Sequence, residues 1–439
     1  MAQRSLRWLT SFWLTFALLL PCGHGASPAE KLHAEPDGPL DPFLGRPFFA
    51  LQEVFRGGKQ VREPYLAVAR DGTILIVRNY VGHLRRSEDG GATWSSIIEV
   101  PIRHSDSNII VDERTGDLIV LRLWDGHDRL FRSQDGGRSW QEEPIRVRPN
   151  GLMRWLEAVG LKRRGTRAAA QPGTYYLHAN ASEAGITLMR SRYAGRLIVT
   201  ATFRPHAKEH PSDRASIDAI YSCALYSDDG GRTWRVSELF PDGYTEEAGL
   251  VELSDGTLYF NTRSHRGFYA RERARELGPD AWHRREAWSR DGGQTWDQFR
   301  ISRVLVDGGG YNRGYGMKGG LVRLPVRDHD ILLYTNADTA GGAREKLTVW
   351  VSFDGGRSWP LKRLIFDGPA AYSSLGVGRY GTAGEGKIFL LFEGSSQGPY
   401  QAMQVARFNL SWVLEGKETG DGTLPKWVAQ WRKQHAATK

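Results

Sequence analysis

The chain has 439 residues, of which 40% are hydrophobic and 25% charged, and it carries a formal net charge of +9. That balance is ordinary for a soluble globule, and the lysines and arginines are scattered rather than massed, which argues against nucleic acid and for an anionic ligand. Cysteine usage excludes a disulfide framework, because loss of Cys22 with a leader leaves only Cys223.

In chain order, residues 1–25 read as a signal peptide. Arg4 and Arg7 give a charged start, and Trp8 to Leu20 is an apolar run ended by Pro21 and small residues. The run is too short for a comfortable membrane span and right for a secretory h-region, so a secreted or periplasmic protein with no membrane span is expected. Residues 26–45, rich in Pro, Gly and Ala, read as a flexible lead-in.

Beyond them one phrase recurs five times: Ser-x-Asp-Gly-Gly-x-Thr/Ser-Trp, at 87–94, 133–140, 227–234, 289–296 and 352–359. The Asp carboxylate can accept backbone N–H groups of its own turn, and the paired glycines allow positive φ without steric cost. The Trp is expected to pack back under the turn. Asp89, Asp135, Asp229, Asp291 and Asp354 are therefore structural staples rather than catalytic carboxylates. A second signal, a short turn followed by an apolar strand, occurs six times, at 71–75, 115–119, 194–198, 255–259, 328–332 and 385–389. The first five are each followed by a staple, and the sixth by Val405–Leu410, a closing strand. Six units of about sixty residues suit four-stranded blades. The expected fold is all-β, one six-bladed β-propeller over 46–413. Residues 141–185 read as a surface insertion with a helical turn near 154–161. Residues 414–439 read as a tail with a short helix over 426–434.

A propeller aims the ends of its inner strands at one mouth. The polar residues at those ends are Arg62, Glu246 and Glu247, Arg263, Arg344 and Tyr372. The segments that carry them are Val61-Arg62-Glu63-Pro64, Glu247–Leu253 with Asn261-Thr262-Arg263, Arg344–Val349, Ala371–Leu375 and Leu390–Glu393. In them the chain resembles the exo-sialidases, propellers whose staple is called the Asp-box. The resemblance implies that Arg62, Arg263 and Arg344 bind a substrate carboxylate. It makes Tyr372 the nucleophile, Glu247 its proton partner, and Glu393 the carboxylate that holds Arg62. The residue types support that chemistry independently. Converging arginines bind a carboxylate through forked, charge-assisted hydrogen bonds. A neutral Tyr avoids the repulsion that a carboxylate nucleophile would meet at an acidic sugar.

The chain departs from the family in one place. The loop that carries the family's acid/base Asp is here Arg78–His83, with no Asp or Glu. His83 and Asp106 are the candidate replacements, with His104 beside Asp106. His206 and His210 stand four apart without a third ligand nearby, so no metal and no cofactor are expected. The leading expectation is a secreted glycosidase releasing a terminal sialic acid or related 2-keto-3-deoxy sugar acid from an acidic carbohydrate. A polysaccharide lyase acting on uronic-acid chains and a non-catalytic acidic-glycan-binding propeller are the alternatives. Nothing in the sequence sets an oligomeric state.

Overall fold

The computed structural model describes residues 37–436, apart from 58–60, 104–105, 124–127, 165–172, 207–219, 266–277, 309–315 and 341. The expected leader, His104, His210 and the side chain of His206 therefore lie outside the described residues.

All five phrases fold into one turn geometry. In each, the Ser hydroxyl donates to the Asp carboxylate at 2.7–2.8 Å. The second Gly N–H donates to that Ser oxygen at 2.8–2.9 Å. The Thr or Ser N–H four residues after the Asp donates back to its carboxylate at 2.8–3.0 Å. Both glycines of every copy have φ between 68° and 92°, a region that side chains rarely adopt.

Each phrase joins the third strand of an antiparallel unit to its fourth. Pro64–Val68, Ile74–Arg78, His83–Ser87 and Ile98–Glu99 form one four-stranded sheet, paired in chain order. Ile110–Val111, Leu118–Arg122, Arg129–Ser133 and Gln141–Pro144 form the next. A seven-stranded sheet follows, centred on Leu197–His206, Tyr221–Ser227 and Thr233–Val236. Thr245–Glu252, Leu258–Ser264, His283–Ser289 and Asp297–Val306 make another four-stranded sheet. The last sheet has eight strands. Its longest, Leu361–Val377, pairs with Glu345–Ser352 through its first half and with Ile388–Gly394 through its second, so it belongs to two units. The second of these ends on Ala402–Phe408, whose outer partner is Phe49–Arg56 from the start of the chain.

Hydrophobic packing runs between units rather than within them. Six buried clusters each combine side chains of two neighbouring units, as where Leu75 and Val77 meet Leu118 and Val120. This is why inner strands such as Pro64–Val68 and Thr245–Glu252 are buried at every position instead of alternating. The phrase tryptophans belong to these clusters. Trp94, Trp140, Trp234, Trp296 and Trp359 each enter the core shared with the preceding unit. The ring thus reaches past its own turn, although the indole N–H of Trp140 and of Trp234 returns to the carbonyl of its own second glycine. Burying one such ring is worth roughly 4–6 kcal/mol of transfer free energy. The second glycine also faces the preceding unit. A Cβ at Gly137 would meet Leu75, one at Gly231 Leu130, and one at Gly356 Tyr259.

The unit ending on Ala402–Phe408 has no phrase. Helix Leu410–Leu414, helix Lys426–Ala436 and the short 3-10 turn Asp41–Leu44 fill the corresponding core with Leu410, Val413, Val428, Trp431 and Phe43. Helix Gly151–Ala158 is capped by Asn150, whose side chain accepts from Met153 N–H at 2.9 Å and donates to Ser237 O at 2.7 Å. Residues 37–45, the described part of the lead-in, are tied down. The Asp37 carboxylate pairs with Arg190 and Arg323, and Gly38 N–H donates to Pro325 O.

Inner strands of successive units touch. Pro64–Val68 meets Ile110–Val111, and Ile110–Val111 meets Ile186–Thr187. Leu197–His206 meets Thr245–Glu252, which meets Gly320–Arg323; that strand meets Leu361–Val377, which meets Pro64–Val68 again. Leu66, Val111, Ile186, Leu250, Leu321 and Leu375, one from each unit, line a single cavity of about 400 Å³. Glu183 forms part of its wall, accepting Leu321 N–H, Leu375 N–H and the Ser374 hydroxyl.

Candidate active site

The residues singled out at strand ends sit where the strands lose their regularity. Arg62 precedes Glu63, whose φ is 65°, at the entry to Pro64–Val68. Glu247 has φ 52° and lies in a register shift between Glu246 and Gly249. Arg344 precedes Glu345–Ser352, whose Lys346 has φ 56° within another shift. Tyr372 falls in a shift between Ala370 and Ser373. Bulges re-aim side chains that a regular pleat would send to alternate faces, and non-glycine residues held at positive φ gather at functional sites.

Three guanidinium groups surround the Tyr372 ring. The central carbons of Arg62 and Arg344 lie 5.0 Å and 4.9 Å from its centroid, and that of Arg263 lies 5.9 Å away. Arg263 donates from Nη1 to the Tyr372 hydroxyl at 3.0 Å, and the same nitrogen contacts Glu247 Oε2. Its Nη2 donates to Glu246 Oε1 at 2.5 Å. Arg344 donates to the Tyr400 hydroxyl at 2.8 Å, and Arg62 lies 4.3 Å over the Tyr400 ring. Glu393, fully buried, accepts from Arg62 Nε at 3.0 Å, from Glu63 N–H at 2.7 Å and from Tyr372 N–H at 3.3 Å. The five named ligand and nucleophile positions and Glu393 are therefore brought together, from sequence separations of up to 331 residues.

The electrostatics follow from burial. Tyr372 is 4% exposed, and desolvation raises its phenol above the usual value, with Glu247 adding to the rise and Arg263 and Arg344 opposing it. Burial disfavours the Arg62 cation, but Glu393 and then Glu63 outweigh it and raise its pKa. Burial raises Glu393, and Arg62 pulls it back.

The two acid/base candidates make other contacts. Arg78 Nη2 lies 2.7 Å from His83 Nδ1, and burial together with that guanidinium lowers the His83 pKa. Asp106 is fully buried and forked onto Arg122 at 2.9 and 2.7 Å, with a third bond from Arg103 N–H. Burial raises the Asp106 pKa against the pull of Arg122. Its backbone carbonyl accepts from the Tyr65 hydroxyl at 2.9 Å.

Several site residues had no signal in the sequence. Lys318 stands in the Gly-rich stretch before Gly320–Arg323, and Asn180, Tyr400 and His265, whose Nε2 lies 2.6 Å from Glu246 Oε1, lie in loops. Glu63 was visible only as the residue between Arg62 and Pro64. Among the described residues no group of His, Cys, Asp and Glu could hold a metal ion.

Residues 188–384 match a family described as a BNR repeat-like domain. A sialidase of Micromonospora viridifaciens is 28% identical over 92% of this chain and 60% of its own length. A sialidase of Clostridium perfringens is 27% identical over 67% of this chain and 76% of its own. The chain thus spans about three-fifths of the first of these relatives. A Hadza microbial sialidase superposes with a TM-score of 0.56 at 20% identity, over 80% of this chain and 66% of that one. A leech intramolecular trans-sialidase gives 0.57 at 14%, over 82% and 70%. The matched domain and the sequence relatives support the sialidase family, and the superpositions speak for the fold.

Proposed function

We propose that the chain is a six-bladed β-propeller glycosidase of the sialidase type, exported by its leader, that removes a terminal sialic acid or related 2-keto-3-deoxy sugar acid. The propeller reading rests on the recurrence of contacts between the inner strands of successive units and on the single cavity lined from six units. The long strand Leu361–Val377 supplies two blades, and Phe49–Arg56 completes the last by pairing with Ala402–Phe408.

The observation that carries the functional reading is the enclosure of one buried tyrosine by Arg62, Arg263 and Arg344. A sugar acid whose carboxylate is gripped by these cations would present its anomeric carbon to the Tyr372 oxygen. In the first step that oxygen forms a bond to the anomeric carbon, the bond to the leaving oxygen breaks, and the phenolic proton passes to Glu247. Water then replaces the tyrosine oxygen: the proton on Glu247 returns to Tyr372, and the proton the water loses goes to the group that protonated the leaving oxygen. Arg263 Nη1, which touches both oxygens, would lower the cost of negative charge on either. Glu393 keeps Arg62 fixed while Arg62 waits for the carboxylate. The leaving oxygen needs a proton, and His83 and Asp106 remain the candidates for supplying it. A missing general acid costs typically 10²–10⁴-fold for a poor leaving group.

Turnover of an aryl sialoside and of sialyllactose tests this, with Tyr372→Phe as control. Cleavage of both, lost in the variant, is the expected result. Cleavage of the aryl compound alone would assign the nucleophile and place the defect in the acid. Cleavage of neither, with saturable binding of the sugar acid, would turn the reading to a binding propeller. An unsaturated product from a uronic-acid chain would turn it to a lyase.

A further inference from the structure

A buried cation beneath the site has no part in the scheme above. Lys318 is 1% exposed. Its Nζ lies 2.6 Å from Glu63 Oε2 and donates to Asn180 Oδ1 at 2.7 Å. It also lies 5.2 and 5.7 Å from the ring centroids of Tyr65 and Tyr372. Taking an ammonium out of water costs several kcal/mol unless its partners compensate, and a methionine of similar length would fill the same space without that cost. Something other than packing therefore accounts for a lysine here.

Two chains of contacts leave Lys318. The first runs through Asn180. An ammonium can only donate, so the Asn180 carbonyl oxygen must face it, which turns the amide nitrogen the other way. That nitrogen donates to Glu247 Oε1 at 3.3 Å. The second runs through Glu63, whose carboxylate is held by Lys318 while its backbone N–H donates to Glu393 Oε1. Glu393 in turn binds Arg62 and the Tyr372 backbone. One ammonium thus touches the supports of both sides of the tyrosine. It also balances the site: Arg62, Arg263, Arg344 and Lys318 stand against Glu63, Glu246, Glu247 and Glu393.

We propose that Lys318 is a positioning residue of this site, which sets the orientation of Asn180 so that its amide is committed to Glu247, and which anchors Glu63 beneath Arg62. The inference rests on the Tyr372 reading above. Removing Lys318 would let the Asn180 amide rotate and leave Glu247 with one donor fewer to fix its carboxylate against Arg263.

The test is the double variant Lys318→Met/Glu63→Gln, which removes one charge of each sign and leaves no buried ion unpaired. Wild type and Tyr372→Phe are assayed first on the aryl sialoside. If wild type shows no turnover that depends on Tyr372, the functional reading fails and this role falls with it, before any Lys318 variant is compared. With wild type active, the double variant is expected to keep its melting temperature within a few degrees and its KM within a few-fold. Its kcat is expected to drop about 10–100-fold, as small misplacements of catalytic groups do. Asn180→Ala, which leaves the Lys318–Glu63 pair intact, is expected to lower kcat in the same way with KM kept within a few-fold, and it keeps the test available should the double variant fail to fold. Wild-type kcat in either variant would overturn the proposal, as would a loss of activity carried by KM with kcat unmoved.

Discussion

The five Ser-x-Asp turns and the Tyr372 cluster are made from the same chemical groups and satisfy them in opposite ways. At the turns, each carboxylate is held by residues within four positions along the chain, and solvent stays close. Asp135 is lowered to about 2: the little burial it has works against the ion, and hydrogen bonds from Ser139, Ser133 and Arg138 outweigh that. At the cluster, Glu393 is held by residues 330 and 331 positions away, and burial moves its carboxyl in the other direction. A locally satisfied carboxylate recurs wherever its phrase is written. A carboxylate satisfied across units depends on one set of distant partners, and removing one partner strands the others. The turns supply repetition and tolerance, while the centre supplies a unique charge arrangement with little tolerance.

The largest effect should come from the centre. Tyr372→Phe removes only a hydroxyl from a buried ring, so the fold should persist while aryl sialoside turnover falls by about 10³-fold or more. Unchanged turnover would dissolve the functional contrast between the two regions. Arg263→Ala should come next. It leaves Glu246 and Glu247 without their shared cation, and equilibrium unfolding in urea should show a loss of about 3–5 kcal/mol in addition to lost activity. A stability equal to that of wild type would mean the cluster is not a coupled charge set.

Glu183 sharpens the same contrast through pH. Burial pushes its carboxyl up to about 8, although hydrogen bonds from Leu375, Ser374 and Leu321 oppose the shift. The folded chain therefore holds a proton that the unfolded chain releases near pH 4.5. Stability from this group is full below pH 4.5 and is lost as pH rises toward about 8. Glu183→Gln keeps the bonding atoms without the titration. It should flatten the stability–pH curve between pH 5 and 8, with a gain on the order of 1–3 kcal/mol at the upper end, read by urea midpoints across that range. An unaltered slope would show that the group does not titrate there. The smallest effect belongs to a turn. Asp229→Ala should cost about 1–2 kcal/mol in unfolding experiments, because it releases the Thr233 N–H and the Ser227 hydroxyl to solvent. It should leave kcat and KM as they were, and a kinetic defect would mean that the turns reach the site.

The sequence by itself determined what is local. The phrase specifies its turn because every donor and acceptor in it lies within a few residues, and its glycines supply the positive φ that the turn needs. The turn-plus-strand signals mark the hairpins for the same reason. The resemblance also singled out Tyr372, the three arginines, Glu247 and Glu393, residues whose types bear chemistry at legible strand ends. Only the tertiary structure decided what depends on neighbours far along the chain. Phe49–Arg56 became the outer partner of Ala402–Phe408, and each phrase's Trp entered the core shared with the preceding unit. Folding set His83 against Arg78 and Asp106 against Arg122. Lys318, alone in a glycine-rich stretch with no periodic pattern, acquired meaning only when folding put Glu63 and Asn180 against it. A buried charge takes its significance from partners that no window of sequence contains.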